Sequence, residues 1–283
     1  MSAPQLTEAL PDLATWTRYC STAEIPVMAE TALALEALRP REDDVDAAML
    51  AKIIQTDPLM TIKVMAHVAS KRRPNVHVMD SSKTETITGA LVMLGISPFF
   101  RHFGPQPTVE DCLADQPQAL AAVRELLQRA ERARLFALGF AVHRADMDVD
   151  VILHAAFLHD FAELLLWCHA PTLALTIQAA QQADPTLRSA AIQQTVLTIV
   201  LDDLAQELMR QWRLPALLVR LSDTRHAEQA NVRNVVLAVR VARHTLHGWD
   251  NPALTDDVAE IAELLNATPR IALAYLHKIV ADL

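Results

Sequence analysis

Glycine is scarce, with only 5 in 283 residues. Tight hairpin turns and the phosphate-cradling loops of dinucleotide-binding folds both depend on it. Its rarity speaks against a β-sandwich, a Rossmann domain and a P-loop enzyme. Cysteine is nearly absent as well. Cys20, Cys112 and Cys168 lie far apart with no C-x-x-C spacing, which fits a reducing compartment and leaves no disulfide framework or cysteine zinc site. Basic residues are in deficit, 25 Lys and Arg against 34 Asp and Glu, for a net charge of −9. A protein that wraps a phosphate backbone usually shows a basic surface, so no nucleic-acid partner is expected. Long uninterrupted apolar runs are also missing. The greasiest stretch, Val151 to Ala180, is broken by His154, His159, Asp160, Glu163, His169 and Pro171; it reads as buried helices and not as a membrane span. Met1 to Trp16 carries Glu8 and Asp12 without an apolar core, so no secretory signal is expected there. A cytoplasmic location, with no membrane contact, is the resulting expectation.

What is present is helical. Apolar residues make up 52% of the chain and charged residues 21%, with Ala and Leu dominant, enough for a substantial core and against disorder. At roughly 150 residues per domain the length suggests two lobes. Asp43 and Asp44 precede a helical stripe of Val45, Met49, Ile53 and Ile54. Asp57-Pro58 is a capping residue followed by proline at the first helical position. Lys71 to Asn75 (KRRPN) reads as a solvated loop. Ser81 to Thr86 opens a helix that Gly95 ends. The proline-rich stretch Gly104 to Pro117 reads as a boundary between lobes. Beyond it, helices are expected over Gln118 to His143, as a pair over Val149 to His169, from Pro171 to Gln182, and again after Asp184-Pro185. Later ones fit Ile199 to Trp212, Pro215 to Thr224, Asn231 to His247, Asp256 to Leu265 and Ile271 to Ala281. The expected architecture is all-α: two packed helical lobes at 1–105 and 118–250, with a helical extension at 251–283.

The most pointed chemical feature is Leu158-His159-Asp160, within an apolar helical run where charged residues are seldom left without partners. Adjacent positions on a helix project about 100° apart, so both reach one metal ion only if other helices bring further ligands.

Four segments together resemble the HDOD module, a branch of the HD superfamily of metal-dependent phosphohydrolases. They are Ile25-Pro26-Val27-Met28 with Ala32 and Leu35; Leu50-Ala51-Lys52-Ile53-Ile54-Gln55-Thr56-Asp57-Pro58-Leu59-Met60-Thr61; Thr86-Ile87 with Ala90-Leu91-Val92-Met93-Leu94-Gly95; and Phe157-Leu158-His159-Asp160, followed by Trp212-Arg213-Leu214-Pro215. Their order and spacing agree from about Ile25 to Trp249, and the second and third are the most specific. The resemblance implies a second lobe that is HD-like. It also implies where a metal site would stand: an upstream His near Arg132 to Arg134, the His159-Asp160 pair, and a later Asp near Ala242-Arg243. No His occupies the first region and Arg243 brings positive charge to the last. The family's common His falls near Leu201, and Phe161-Ala162-Glu163 replaces the usual glycine after the pair.

A divalent cation held mainly by one His and one Asp beside arginines would bind weakly, because functional sites supply three or four protein ligands. Without the metal, no bound water is acidified for attack on a phosphoester. The expectation is a fold retained and a reaction lost. His159, Asp160, Arg134 and Arg243 form a vestigial site with no cofactor, no metal and no catalytic residue; any residual divalent metal would sit weakly on His159 and Asp160. Asp160 is expected to pair with Arg134 or Arg243. The resemblance further implies a bacterial signal-transduction or regulatory module that binds other signalling proteins, with no oligomeric state specified. The alternative is a metal-dependent phosphohydrolase acting on a nucleotide or cyclic dinucleotide, recruiting His143, His154, His226 or Asp223. A third possibility is a sensor that binds a small ligand between the lobes without turnover.

Overall fold

The structure, a computed structural model, describes residues 5–71, 86–184 and 186–281. All regular elements among these residues are helices, as expected from the composition. Arg72 to Asn75, Ser81 to Glu85 and Pro185, on which parts of the sequence reading rested, lie outside the described residues. The helices are α1 Leu13–Thr22, α2 Ala29–Leu38, α3 Ala47–Ile54, α4 Pro58–Lys71, α5 Ile87–Leu94, α6 Ile96–His102, α7 Val109–Cys112, α8 Pro117–Arg144 and α9 Val149–Phe157. They continue as α10 Phe161–His169, α11 Pro171–Ala183, α12 Ser189–Leu197, α13 Leu201–Gln211, α14 Ala216–Leu221, α15 Ala230–His244, α16 Leu254–Leu264 and α17 Pro269–Ala281.

The chain forms two compact units, each discontinuous in sequence. One comprises 1–125 and 160–214; the other comprises 126–159 and 215–283. The lobes expected at 1–105 and 118–250 follow motifs and a proline-rich connector, whereas these units follow contacts. A boundary falls inside α8, after Glu125, and a second falls between His159 and Asp160.

In the first unit the Asp57-Pro58 signal works as its chemistry demands. Asp57 is fully buried. Its Oδ1 accepts the Leu59 and Met60 N–H groups at 2.9 and 3.2 Å, and its Oδ2 accepts the Met28 N–H at 2.8 Å. One carboxylate thus caps α4 and fixes the approach to α2. Thr86 caps α5 through the Gly89 N–H, and Gly95 ends it at φ +83°, a conformation that favours glycine. The stretch Gly104 to Pro117, expected to divide two lobes, is instead bound into this unit. Val27 forms a parallel bridge with Thr108, Glu110 accepts the Ala29 N–H, and Lys63 donates to Gln106 Oε1 at 2.5 Å. Helix α1 packs on α13, with Trp16 buried and its indole N–H donating to Leu197 O at 3.0 Å.

In the second unit α9 packs against α14 and α15, and α16 packs against α15 and α17. Asn234 of α15 is fully buried and donates to Ala137 O of α8. Helix α17 crosses α8 at Gly139, whose carbonyl accepts the Tyr275 hydroxyl at 2.8 Å. A Cβ at position 139 would collide with Ile279, so glycine is needed here for close approach and not for its backbone angles.

Candidate functional site

The apolar stretch Val149–His169 is long and apolar enough to cross a membrane by length and composition alone, but 72% of its most apolar part is buried in the protein. It is also two helices. Leu158 closes α9 and Asp160 stands at the start of α10. His159 N–H reaches back to Ala156 O at 3.4 Å, and Asp160 O accepts the Leu164 N–H at 3.1 Å. The His159-Asp160 pair therefore sits on the turn between helices, partly exposed. The expected placement within a helix, and the 100° separation that goes with it, do not apply. Leu158 and Phe161, on either side of the turn, are both buried.

The basic residues expected near this pair have distinct settings. Arg134 on α8 forks onto Glu131, with its Nε 2.9 Å from Oε2 and its terminal nitrogen 2.5 Å from Oε1. Its guanidinium lies 6.0 Å from the centre of the Phe157 ring. Arg243 is exposed in the last turn of α15.

The recruits of a metal-dependent reading are committed elsewhere. His143 Nε2 lies 3.1 Å from Leu265 O. His154 Nδ1 lies 2.6 Å from Asp150 O; burial pushes its imidazole below the ordinary value, and the Arg134 charge adds to that. Asp223 caps the short 3-10 turn that holds His226 and accepts a two-pronged contact from Arg225 at 2.8 and 2.9 Å. The hydrogen bond from Arg225 holds the Asp223 carboxyl below the usual carboxylate range. Among the described residues, no group of three or more His, Cys, Asp or Glu side chains gathers closely enough to hold a metal ion. The donor set among the described residues does not fit the metal that an HD fold implies.

Three clusters escaped the sequence reading. His67 of α4 stacks on His102 of α6 with ring centres 3.5 Å apart, and burial brings the His67 imidazole down to about 4. In the second unit, Arg240 binds both Asp257 and Glu260, while His244 Nδ1 lies 2.5 Å from the far oxygen of Asp257. Arg132 is held among aromatic rings. Each cluster joins residues from separate helices, so no local spacing announces it.

The HDOD domain family profile matches residues 25–228, most of the chain. The chain belongs to the HDOD family. No curated protein matches it, but solved structures share this HDOD fold. The MmoQ response regulator of Methylococcus capsulatus str. Bath is 21% identical, with a TM-score of 0.64 over 89% of this chain and 98% of that one. A virulence factor of Campylobacter jejuni subsp. jejuni is 16% identical, with a TM-score of 0.63 over 96% and 99%. Identities this low speak to fold alone. The HDOD match stops short of α15, α16 and α17, so the clusters around Asp257 and beside Trp249 rest largely on residues outside it.

Proposed function

We propose that this HDOD protein is a non-catalytic signalling module of the bacterial cytoplasm that works by binding other signalling proteins. The observation that carries this reading is chemical. Among the described residues, no group of three or more His, Cys, Asp or Glu side chains could hold a metal ion. A phosphohydrolase of this class needs such a group, because an incomplete ligand set holds its ion weakly and acidifies no water. Family membership supports a signalling role, and the similar MmoQ structure is named as a response regulator. The extension of the role to protein binding rests on fold-level analogy. The test is turnover. With Mn²⁺ supplied, the purified chain should hydrolyse neither nucleotide phosphoesters nor cyclic dinucleotides above a protein-free blank. Turnover that disappears in His159→Ala would establish the phosphohydrolase instead.

A further inference from the structure

Most acidic side chains of the second unit that could balance a cation are already taken. Glu131 pairs with Arg134, Asp146 with Arg144, Asp223 with Arg225, Asp257 and Glu260 with Arg240, and Glu263 with Arg233. Arg132, partly buried on α8, has no carboxylate partner among the described residues. Its Nε donates to Thr245 Oγ1 at 2.8 Å, and that hydroxyl donates in turn to Val241 O at 2.6 Å. Thr245 is itself buried, so the head of the guanidinium is fixed by a hydroxyl that cannot wander.

Two rings complete the setting. The guanidinium carbon lies 5.4 Å from the centre of Phe136 and 5.8 Å from the centre of Trp249. Trp249 is in turn backed by His277, with ring centres 3.8 Å apart. Ring faces attract a cation but neutralise nothing. Burial pulls the Arg132 guanidinium below its ordinary value, yet arginine stays charged at neutral pH. The result is a fixed positive fork whose two terminal nitrogens have no anion to bind. The adjoining loop is open at Gly248, where a Cβ would meet nothing within 4 Å.

We propose that Arg132 is the anchor of a small-anion site that receives a phosphate or carboxylate group on its two terminal nitrogens. A planar fork with both outer nitrogens unused is the geometry that binds such oxyanions in a bidentate manner. The ring of Trp249 touches both Arg132 and His277, so it serves as a wall of the site and as its reporter. The anion would be held without His159 or Asp160, and its binding is measured apart from any turnover.

The test uses the full chain at constant ionic strength, with chloride exchanged for inorganic phosphate or for acetate. Binding at ten times the dissociation constant should raise the melting temperature by about 3 °C and change Trp249 fluorescence over the same concentration range. The arm that responds identifies phosphate or carboxylate. Arg132→Lys keeps a charge but loses the fork, and should weaken the response about tenfold or more. Arg134→Lys, a change at the neighbouring ion pair, should leave it intact. If Arg132→Lys does not fold, the wild-type fluorescence titration, with Trp249→Phe to assign the signal, still decides. No response to either anion beyond chloride, or an equal response in wild type and Arg132→Lys, overturns the proposal.

Discussion

Asp57 in one unit and Asp257 in the other are both carboxylates taken out of water, and they are compensated in opposite ways. Asp57 is surrounded by donors that carry no charge: the N–H groups of Met28, Leu59 and Met60, with the Thr31 hydroxyl beside them. Burial dominates there and pushes its carboxyl upward, against the pull of those hydrogen bonds. Asp257 faces cations. Burial raises it too, but His244 and Arg240 outweigh burial and hold the carboxyl below the usual range. Backbone donors make a cap; charged partners make a clamp between helices, here α15 and α16. The two carboxylates therefore link stability to pH with opposite sign.

The sign follows from proton binding in each state. Asp257 has a depressed value in the folded protein. Its contribution is present above the ordinary carboxylate value, about 4, and is lost as pH falls through the folded value. Asp57 has a raised value, so its linked contribution is full below about 4 and declines as pH rises through the folded value.

The largest expected effect is at the cap. Asp57→Ala strands three backbone N–H groups, two of them in the first turn of α4, and should cost about 3 kcal/mol in urea denaturation. Asp257→Ala should cost about 2 kcal/mol, less because Arg240 remains partly solvated. Asp257→Asn should also flatten the loss of melting temperature between pH 4 and pH 2, whereas Asp57→Asn should leave that acid limb in place. Equal acid limbs in the two variants would erase the distinction drawn here. Gly139→Ala forces Ile279 of α17 aside and should cost about 1.5 kcal/mol through overpacking, with the pH profile unchanged because no charge is touched. The smallest effect is at an exposed cap: Asp46 accepts the Met49 N–H at 2.8 Å, and Asp46→Ala should cost about 1 kcal/mol.

Local signals were legible where one short stretch contains its own chemistry. Asp57-Pro58, Gly95, Pro171 at the start of α11 and the long α8 all follow from capping, backbone freedom and periodicity. Connections across the chain were not legible. Nothing in the composition of Gly104 to Pro117 tells that Val27 bridges Thr108, so a proline-rich stretch reads as a linker although it is tied down. Two helices were legible over Val149 to His169, but not that the His159-Asp160 turn is what divides them. Helix α12 ends at Thr198 in a left-handed conformation that threonine does not advertise, and it is separate from the helix expected over Ile199 to Trp212, which forms as α13. The candidate site was half visible. The His-Asp pair and the lack of a histidine near Arg132 are features of the sequence, whereas the setting of Arg132 needs Thr245, 113 residues later.

The measurement closest to the central claim is the metal content of the purified full chain after incubation with Mn²⁺, Fe²⁺ or Ni²⁺ and removal of the excess. An incomplete donor set predicts far less than one ion per chain, with the same trace in wild type and His159→Ala. One tightly held ion per chain, present in wild type and gone in His159→Ala, would contradict it and make this protein a metal-dependent catalyst to be tested for its substrate.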